Sequence, residues 1–421
     1  MGKLLYNLFI RLYPVIIRLV SPFNIKAKKW LDGRKNIFSK IEQAMGENKT
    51  QTVWMHCSSL GEFEQGRPLI EKIRTNYPSC KIVLSFFSPS GYEVQKKYQQ
   101  ADHVFYLPID SAGNAKKWYD IINPTLVLFV KYEFWYYYLN EAAKRNIPLL
   151  LVSGIFRKSH PFFKWYGGFH RQMLQYFTEL FVQNESSLQL LSSINITNAA
   201  ISGDTRFDRV LEIAASAKTI PEIEAFCKDK TTIVAGSTWN EDDEELDHYA
   251  NLHRSYRFII APHNIDEESI KECEALYKYS IRYSTYLQLL QSDIPLQEVN
   301  TLIIDNIGML STLYLYATLC FIGGGFGGDG VHNVLEASVY FKPVIFGPVY
   351  EKYFEAVELI DEAGAFSIVD ALELEEQLDE LLSNEELYKK TCTNAGNYVK
   401  KKAGATSNIV HYIQEKRLLT N

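Results

Sequence analysis

The chain has 421 residues, 47% hydrophobic and 22% charged, with a formal net charge of −6. That length exceeds one ordinary core and predicts two domains, and the acidic balance argues against a nucleic-acid binder, which carries a basic footprint. Cys57, Cys80, Cys227, Cys273, Cys320 and Cys392 lie far apart, without CxxC or Cys/His spacing. They read as buried free thiols of a reducing cytoplasm and give no support for structural zinc.

Residues 1–35 break the acidic trend, carrying Lys3, Arg11, Arg18, Lys26, Lys28, Lys29, Arg34 and Lys35 against Asp32 alone. Lys3, Asn7, Arg11 and Arg18 recur at helical spacing, with Leu, Ile, Phe, Tyr and Val around the rest. Arginines and Pro14 interrupt a run already short of the roughly 20 apolar residues that a spanning helix needs, and Ser21-Pro22-Phe23 is a poor cleavage site. The stretch with this spacing reads as an amphipathic helix lying in the membrane interface with its arginines snorkelling toward anionic headgroups. The alternative is a helix packed on the protein's own body.

After residue 50, strand-like runs alternate with helical segments. Candidate strands span 52–56, 81–87, 104–107, 125–130, 148–152 and 179–182. The series restarts at 231–235, 257–261, 280–283, 302–304, 319–322 and 344–346. Such alternation predicts an α/β protein with two Rossmann-like, doubly wound domains facing a cleft. The expected division is a basic, apolar segment over 1–35, a first domain over 36–205, and a hinge with a second domain over 206–421. The last helix is a candidate to pack back on the first domain. Residues 213–230 read as a less ordered stretch near the hinge.

Polar or glycine clusters follow these strands, where doubly wound sheets bind ligands. The most informative is Gly323-Gly324-Gly325-Phe326-Gly327-Gly328-Asp329-Gly330, followed by a predicted helix carrying His332, Asn333 and Glu336. Glycines let backbone approach a ligand, a helix start offers N–H groups to phosphate, and a carboxylate suits ribose hydroxyls. Glu62, in Ser58-Ser59-Leu60-Gly61-Glu62-Phe63-Glu64, is either a general base for an acceptor hydroxyl or a helix-start charge, with Glu64 an equal candidate. Glu133 precedes an aromatic run and reads more readily as a helix-start acid. Ser237 and Thr238 are helix caps or phosphate ligands, before an acidic run, 240–245, that reads as a solvated first turn. His263, after Pro262, could stack on a base or be structural. Residues 305–310 offer backbone amides. Arg206 either neutralises a leaving phosphate or pairs with Asp208 at the surface.

Taken in order, these motifs resemble the 3-deoxy-D-manno-oct-2-ulosonic acid (Kdo) transferases of lipopolysaccharide synthesis, glycosyltransferases of the two-domain GT-B kind. The resemblance rests on the basic, apolar N-terminus, Ser59-Leu60-Gly61-Glu62, Glu133-Phe134-Trp135, Gly203-Asp204-x-Arg206-Phe207-Asp208, Ala261-Pro262-His263, Gly308-Met309-Leu310, and Gly323-Gly324 through His332-Asn333-x-x-Glu336. It implies inverting transfer of Kdo from CMP-Kdo, a co-substrate, to the tetraacyl disaccharide lipid A precursor at the cytoplasmic face of the inner membrane. No cofactor or metal is then expected. It further implies Glu62 as general base, and Glu133 and Arg206 as groups stabilising the charge-separated transition state. Pro262, His263, Gly308, Met309, Leu310, Asn333, Val334, Leu335 and Glu336 would hold CMP. Ser237, Thr238, Gly324, Gly325 and His332 form a further candidate donor loop. The chain departs from the family pattern at Lys131, where another Glu is usual, and over 153–159, which lacks an Asn-Ala-Arg spacing. A related transferase using a UDP-sugar, and a non-catalytic nucleotide-sugar or lipid binder, are the alternatives.

Overall fold

Continuous apolar runs become strands buried on both faces, as all-parallel sheets require. The structure, a computed structural model, describes residues 2–46, 50–290 and 298–420. The chain divides into two units, Met1–Arg209 with Ala403–Asn421, and Val210–Lys402.

The first unit opens with three helices, α1 (Gly2–Val20), α2 (Ile25–Gly33) and α3 (Ile37–Met45). Its strands are β1 (Thr52–Cys57), β2 (Lys81–Phe86), β3 (His103–Tyr106), β4 (Leu126–Val130), β5 (Leu149–Gly154), β6 (Glu179–Val182) and β7 (Ala199–Ile201). They pair in the order β3-β2-β1-β4-β5-β6-β7, all parallel. Alternate residues of β1 point to opposite faces: Trp54 packs with Trp118, Tyr119 and Tyr138, and Val53, Met55 and Cys57 pack on the other side. On that second side lie α4 (Leu60–Asn76) and the C-terminal helix Ala405–Glu415, whose Ile409, Val410 and Ile413 complete the core.

The second unit repeats the plan with β8 (Thr232–Thr238), β9 (Arg257–Pro262), β10 (Ser280–Arg282), β11 (Thr301–Ile303), β12 (Leu319–Ile322), β13 (Val344–Phe346) and β14 (Ala365–Ser367). The order is β10-β11-β9-β8-β12-β13-β14, again all parallel.

The N-terminal helix is continuous through Pro14, and one side of it docks. Tyr6 hydrogen-bonds the buried Asp110, the Tyr136 N–H donates to Tyr6 Oη at 3.2 Å, and Tyr137 Oη donates to Asn7 at 2.6 Å. Ile10 is buried, and Tyr13 packs edge-on against Trp30. Leu4, Leu5, Leu8, Phe9, Leu12, Val15, Ile16 and Leu19 remain exposed, as does Phe23 beyond the helix. Among the described residues no helix is long and apolar enough to cross a membrane.

Several expectations are corrected. Arg34, counted among the basic N-terminal charges, is a buried cation. It donates to the carbonyls of Leu107 (2.9 Å), Trp30 (3.1 Å) and Phe87 (2.8 Å) and lies 4.0 Å over the Trp30 ring. Burial pulls its pKa down to about 9. Residues 213–230 are not loose: they hold the end of the helix Thr205–Ser216 and all of Pro221–Cys227, whose proline suits a first helical turn. Two short strands, β7 and β14, were not expected. Of the cysteines, none is paired; five are buried and Cys392 is half-buried.

Candidate active site

Strand order reverses between β1 and β4 in the first sheet, so the loops leaving those strands diverge there. Glu62 and Glu133 come from these two loops. Glu62 is the third residue of α4 and half-buried; its Oε2 accepts the Ser59 N–H at 2.8 Å and the Ser59 hydroxyl, completing a capping box. The helix-start role weighed from the sequence is thus filled, by one oxygen. Glu133 is 9% exposed and is not a helix-start acid, since the following helix begins at Tyr136. Its Oε2 accepts the Trp135 Nε1–H at 2.5 Å and lies 3.2 Å from His56 Nε2. Among the described residues, Oε1 of both carboxylates has no hydrogen-bond partner. Directly after β4, two residues before Glu133, Lys131 holds φ 63°, a left-handed conformation that is strained for a side-chain-bearing residue. Glu64 is pushed up by burial, with Arg67 and Arg209 opposing.

Arg206 forks onto Asp204, not Asp208: Nε donates at 2.9 Å and a terminal nitrogen at 2.8 Å to the same carboxylate oxygen. Asp204 is buried and also takes Gln65 Nε2 at 3.1 Å and the Arg206 N–H at 2.9 Å. Burial alone would raise its pKa, but the Arg206 charge and hydrogen bonds, with Lys131, hold it below the usual carboxylate range. Arg206 is therefore fixed in direction, its charge partly compensated. Asp208 instead accepts the Gly404 and Thr406 N–H groups, each at 2.6 Å, at the start of the C-terminal helix.

In the second sheet the order reverses between β8 and β12. Ser237 and Thr238 belong to β8 and do not cap the next helix; Trp239 occupies that position. Ser237 is left-handed (φ 57°), and the register shifts between Gly236 and Thr238. The acidic run is not a solvated turn, because Asp242 and Asp243 are buried. Asp242 accepts the N–H groups of Trp239 (2.9 Å), Gly324 (2.7 Å) and Phe326 (3.4 Å). The glycine loop thus gives two amides to a carboxylate of its own chain, where a phosphate was expected. Burial raises the pKa of Asp243 to about 7, with Tyr277 Oη donating to it at 3.0 Å.

Those glycines are there for close approach. A Cβ on Gly323 would meet Ser237 O at 2.4 Å, on Gly324 the Gly330 carbonyl at 2.5 Å, and on Gly325 the Gly347 backbone at 2.4 Å. Trp239 Nε1–H donates to His332 Nε2 at 3.2 Å, setting the two rings edge to edge. The His263 ring lies nearly parallel to both, 22° from Trp239 and 15° from His332, with centroids 4.5 and 4.6 Å away. His263 is exposed and His332 is not. Burial, with His263 adjacent, holds His332 down to about 4. Beside this trio a cavity of about 270 Å³ is lined by Thr238, Trp239, Asp243, Pro262, Asn264 and Glu272, among others.

The helix expected to carry His332, Asn333 and Glu336 shrinks to Leu335–Ser338. Asn333 and Val334 precede it: Asn333 Oδ1 accepts the Leu335 N–H at 3.3 Å, and Nδ2 donates to Glu336 at 2.9 Å. Gly308, with φ 98°, lies in an open turn, and Met309 leads into the single turn Leu310–Leu313. Leu310 is close to β8, since a Cβ on Gly236 would meet its Cδ1 at 2.6 Å. Pro262 ends β9. The sequence reading did not single out His56, Trp239 or Asp242. A histidine inside the apolar strand 52–57 and an aspartate three residues into a helix were the available signals. Among the described residues no group of three His, Cys, Asp or Glu side chains stands ready for a metal ion.

Residues 33–209 match the family model described as 3-deoxy-D-manno-octulosonic-acid transferase (kdotransferase). The chain is 27% identical to a 3-deoxy-D-manno-octulosonic acid transferase of Rickettsia bellii, covering 88% of this chain and 90% of that one. It is also 27% identical to a bifunctional glycosyltransferase/methyltransferase of Fusobacterium nucleatum, over 96% of this chain but only 64% of that protein's length. Among solved structures, a UDP-GlcNAc 2-epimerase of Neisseria meningitidis superposes with TM-score 0.62 at 16% identity, over 87% of this chain and all of that one. A glycosyltransferase of Rickettsia africae superposes with TM-score 0.56 at 15% identity, over 89% of this chain and 100% of that one. Those two likenesses are of fold, the GT-B arrangement of two parallel sheets.

Proposed function

We propose that this chain, whose residues 33–209 match the Kdo transferase family model, is a glycosyltransferase that moves Kdo from CMP-Kdo to the tetraacyl disaccharide lipid A precursor, with inversion. The observation that carries this reading is the coincidence of that match with the sheet whose switch point presents Glu62 and Glu133. Each carboxylate is anchored through Oε2 and has Oε1 unpartnered among the described residues. Glu62 takes the proton of the acceptor hydroxyl as the new C–O bond forms at the Kdo anomeric carbon. The bond from that carbon to the CMP phosphate breaks, and its electron pair leaves on the phosphate. Glu133 and Arg206 stabilise the separated charges.

On the donor side, the exposed face of His263 offers a stacking surface to the cytosine, and Asn333 and Glu336, locked together, address the ribose. Gly308–Leu310 line the same end of the second sheet as Ser237, Thr238 and the 323–325 turn. No cofactor is invoked, because one phosphate leaves where other donors lose a diphosphate.

The acceptor is a lipid, and the exposed apolar face of α1 supports attachment to the cytoplasmic face of the inner membrane through this helix. Beneath α1 a groove of about 260 Å³, lined by Tyr13, Ile17, Val20, Lys26, Trp30 and Phe87 among others, is suited to an acyl chain.

The test is Kdo transfer to the lipid A precursor with CMP-Kdo generated in situ, comparing wild type with Glu62→Gln. Loss of a positioned base lowers the rate on the order of 10²–10⁴-fold, at unchanged CMP affinity. Equal rates would discard Glu62 as the base. No product from folded wild type would move the reading to a UDP-sugar donor.

A further inference from the structure

Glu133 is held from below by a buried hydrogen-bonded chain that the mechanism above does not use. His56, in β1, is fully buried with the Phe129 ring 5.1 Å away. Its Nδ1 lies 2.9 Å from Ser85 Oγ and 3.1 Å from the Ser85 carbonyl, and its Nε2 lies 3.2 Å from Glu133 Oε2. Behind Ser85, Trp54 Nε1 is 2.8 Å from Oγ.

Donor and acceptor chemistry orders this chain. An indole nitrogen can only donate, so Ser85 Oγ accepts from Trp54 and has its own hydrogen left to give. The partner within reach is His56 Nδ1. With Nδ1 accepting, the ring hydrogen sits on Nε2 and points at Glu133 Oε2, which also receives the Trp135 N–H. The opposite tautomer would give Nδ1–H to the Ser85 carbonyl and set a bare Nε2 lone pair against the carboxylate, a buried mismatch. Every donor in the sequence Trp54, Ser85, His56 then points toward one oxygen of Glu133. Two N–H groups from two different elements fix that oxygen, and this fixes where Oε1 stands.

We infer that His56 is a positioning residue for transfer: its Nε2–H, set by Ser85, anchors Glu133 through Oε2 so that Oε1 is held toward the reacting sugar. This rests on the reading of Glu133 as a transition-state group. The geometry asks for a donor at the ε position and for no proton transfer by the ring, so a neutral amide donor there suffices.

The experiment combines kinetics with ring-nitrogen NMR on the full chain. In wild type labelled with ¹⁵N-histidine, the His56 signal, assigned by its loss in His56→Gln, shows the neutral Nε2–H form; Ser85→Ala mixes in the other tautomer. His56→Leu lowers kcat on the order of 10–100-fold, the size of effect seen when a hydrogen-bonding partner that orients a metal-ligating side chain is removed, with KM for CMP-Kdo within about two-fold. His56→Gln, whose amide donates at the same place, recovers most of the loss. An Nδ1–H tautomer in wild type overturns the inference without any variant having to fold. So does wild-type kcat in His56→Leu when Glu133→Gln is inactive. Wild-type kcat in Glu133→Gln would instead sink the reading of Glu133, and the positioning role with it.

Discussion

The carboxylate of Asp242 accepts the N–H of Gly324 at 2.7 Å, joining the first turn of one helix to a glycine turn 82 residues later. The same oxygen takes the Trp239 N–H, so one buried side chain ties the ends of β8 and β12 together. Asp242→Ala leaves the Trp239, Gly324 and Phe326 amides without this partner. Each such group costs about 1–3 kcal/mol, so the second unit should lose about 3 kcal/mol in urea unfolding, with weaker CMP binding by titration calorimetry. Unchanged stability would mean that water replaces the carboxylate.

Gly324 and Gly328 make a paired test of the glycine turn. Gly324 has φ 88° and no room for a Cβ, whereas a Cβ on Gly328 would meet nothing within 4 Å. Gly324→Ala should therefore lower the melting temperature and CMP affinity, and Gly328→Ala should leave both near wild type. Equal effects would show that flexibility matters there more than close packing.

His332 gives the second unit a dependence on pH. In the unfolded chain a histidine titrates near 6.5; in the fold, burial and His263 hold this one to about 4. Between those values the unfolded ring binds a proton that the folded ring does not, so stability present above pH 6.5 is lost as pH falls toward 4. The unfolding free energy of wild type minus that of His332→Asn should shrink from pH 7.5 to pH 5. A constant difference across that range would contradict the assignment.

Asp208 holds the start of the C-terminal helix through the Gly404 and Thr406 amides. Loss of a helix-capping carboxylate costs about 1 kcal/mol, up to about 2. Asp208→Ala should destabilise the first unit by that amount and speed proteolytic cleavage near residue 403. Resistance to protease equal to wild type would show that the core contacts of Ile409 and Ile413 hold the helix unaided.

The docked side of α1 makes truncation a poor test of membrane attachment, because it removes the Tyr6 hydroxyl from the buried Asp110 and leaves that carboxylate only the Tyr137 and Tyr138 amides. Leu8→Glu with Leu12→Glu and Ile16→Glu, all on the exposed face, should abolish binding to anionic vesicles in flotation assays while the melting temperature stays within a few degrees. Continued flotation would move the attachment elsewhere.

Buried apolar strands were legible because burial on both faces leaves an unbroken apolar run: β6 and β12 fall where the sequence places them. β7 and β14 were not: Ala-Ala-Ile and Ala-Phe-Ser, three residues each at a sheet edge, do not stand out as apolar runs, although the equally short edge strand β10 was placed. The loop clusters were found because polar and glycine residues at strand ends are visible in a line of text. Their partners were not. Whether the Gly324 amide meets a phosphate or Asp242, and whether Arg206 meets Asp208 or Asp204, depends on which side chains the fold brings near. His56 was passed over for the same reason, a strand residue whose neighbours Ser85 and Glu133 lie 29 and 77 positions away.

The C-terminal helix has a consequence for biosynthesis. Its Ile409, Val410 and Ile413 complete the core around β1 and β2, yet they leave the ribosome after residues 210–402, which form the other unit. The sheet made first is therefore finished last. At about 5–20 residues per second, residues 210–402 alone take roughly 10–40 s to make, and throughout that time the face of β1 and β2 beside α4 lacks the C-terminal helix. During that interval the nascent chain is a substrate for chaperones that bind exposed apolar surface, and truncation of the last twenty residues should make the state permanent.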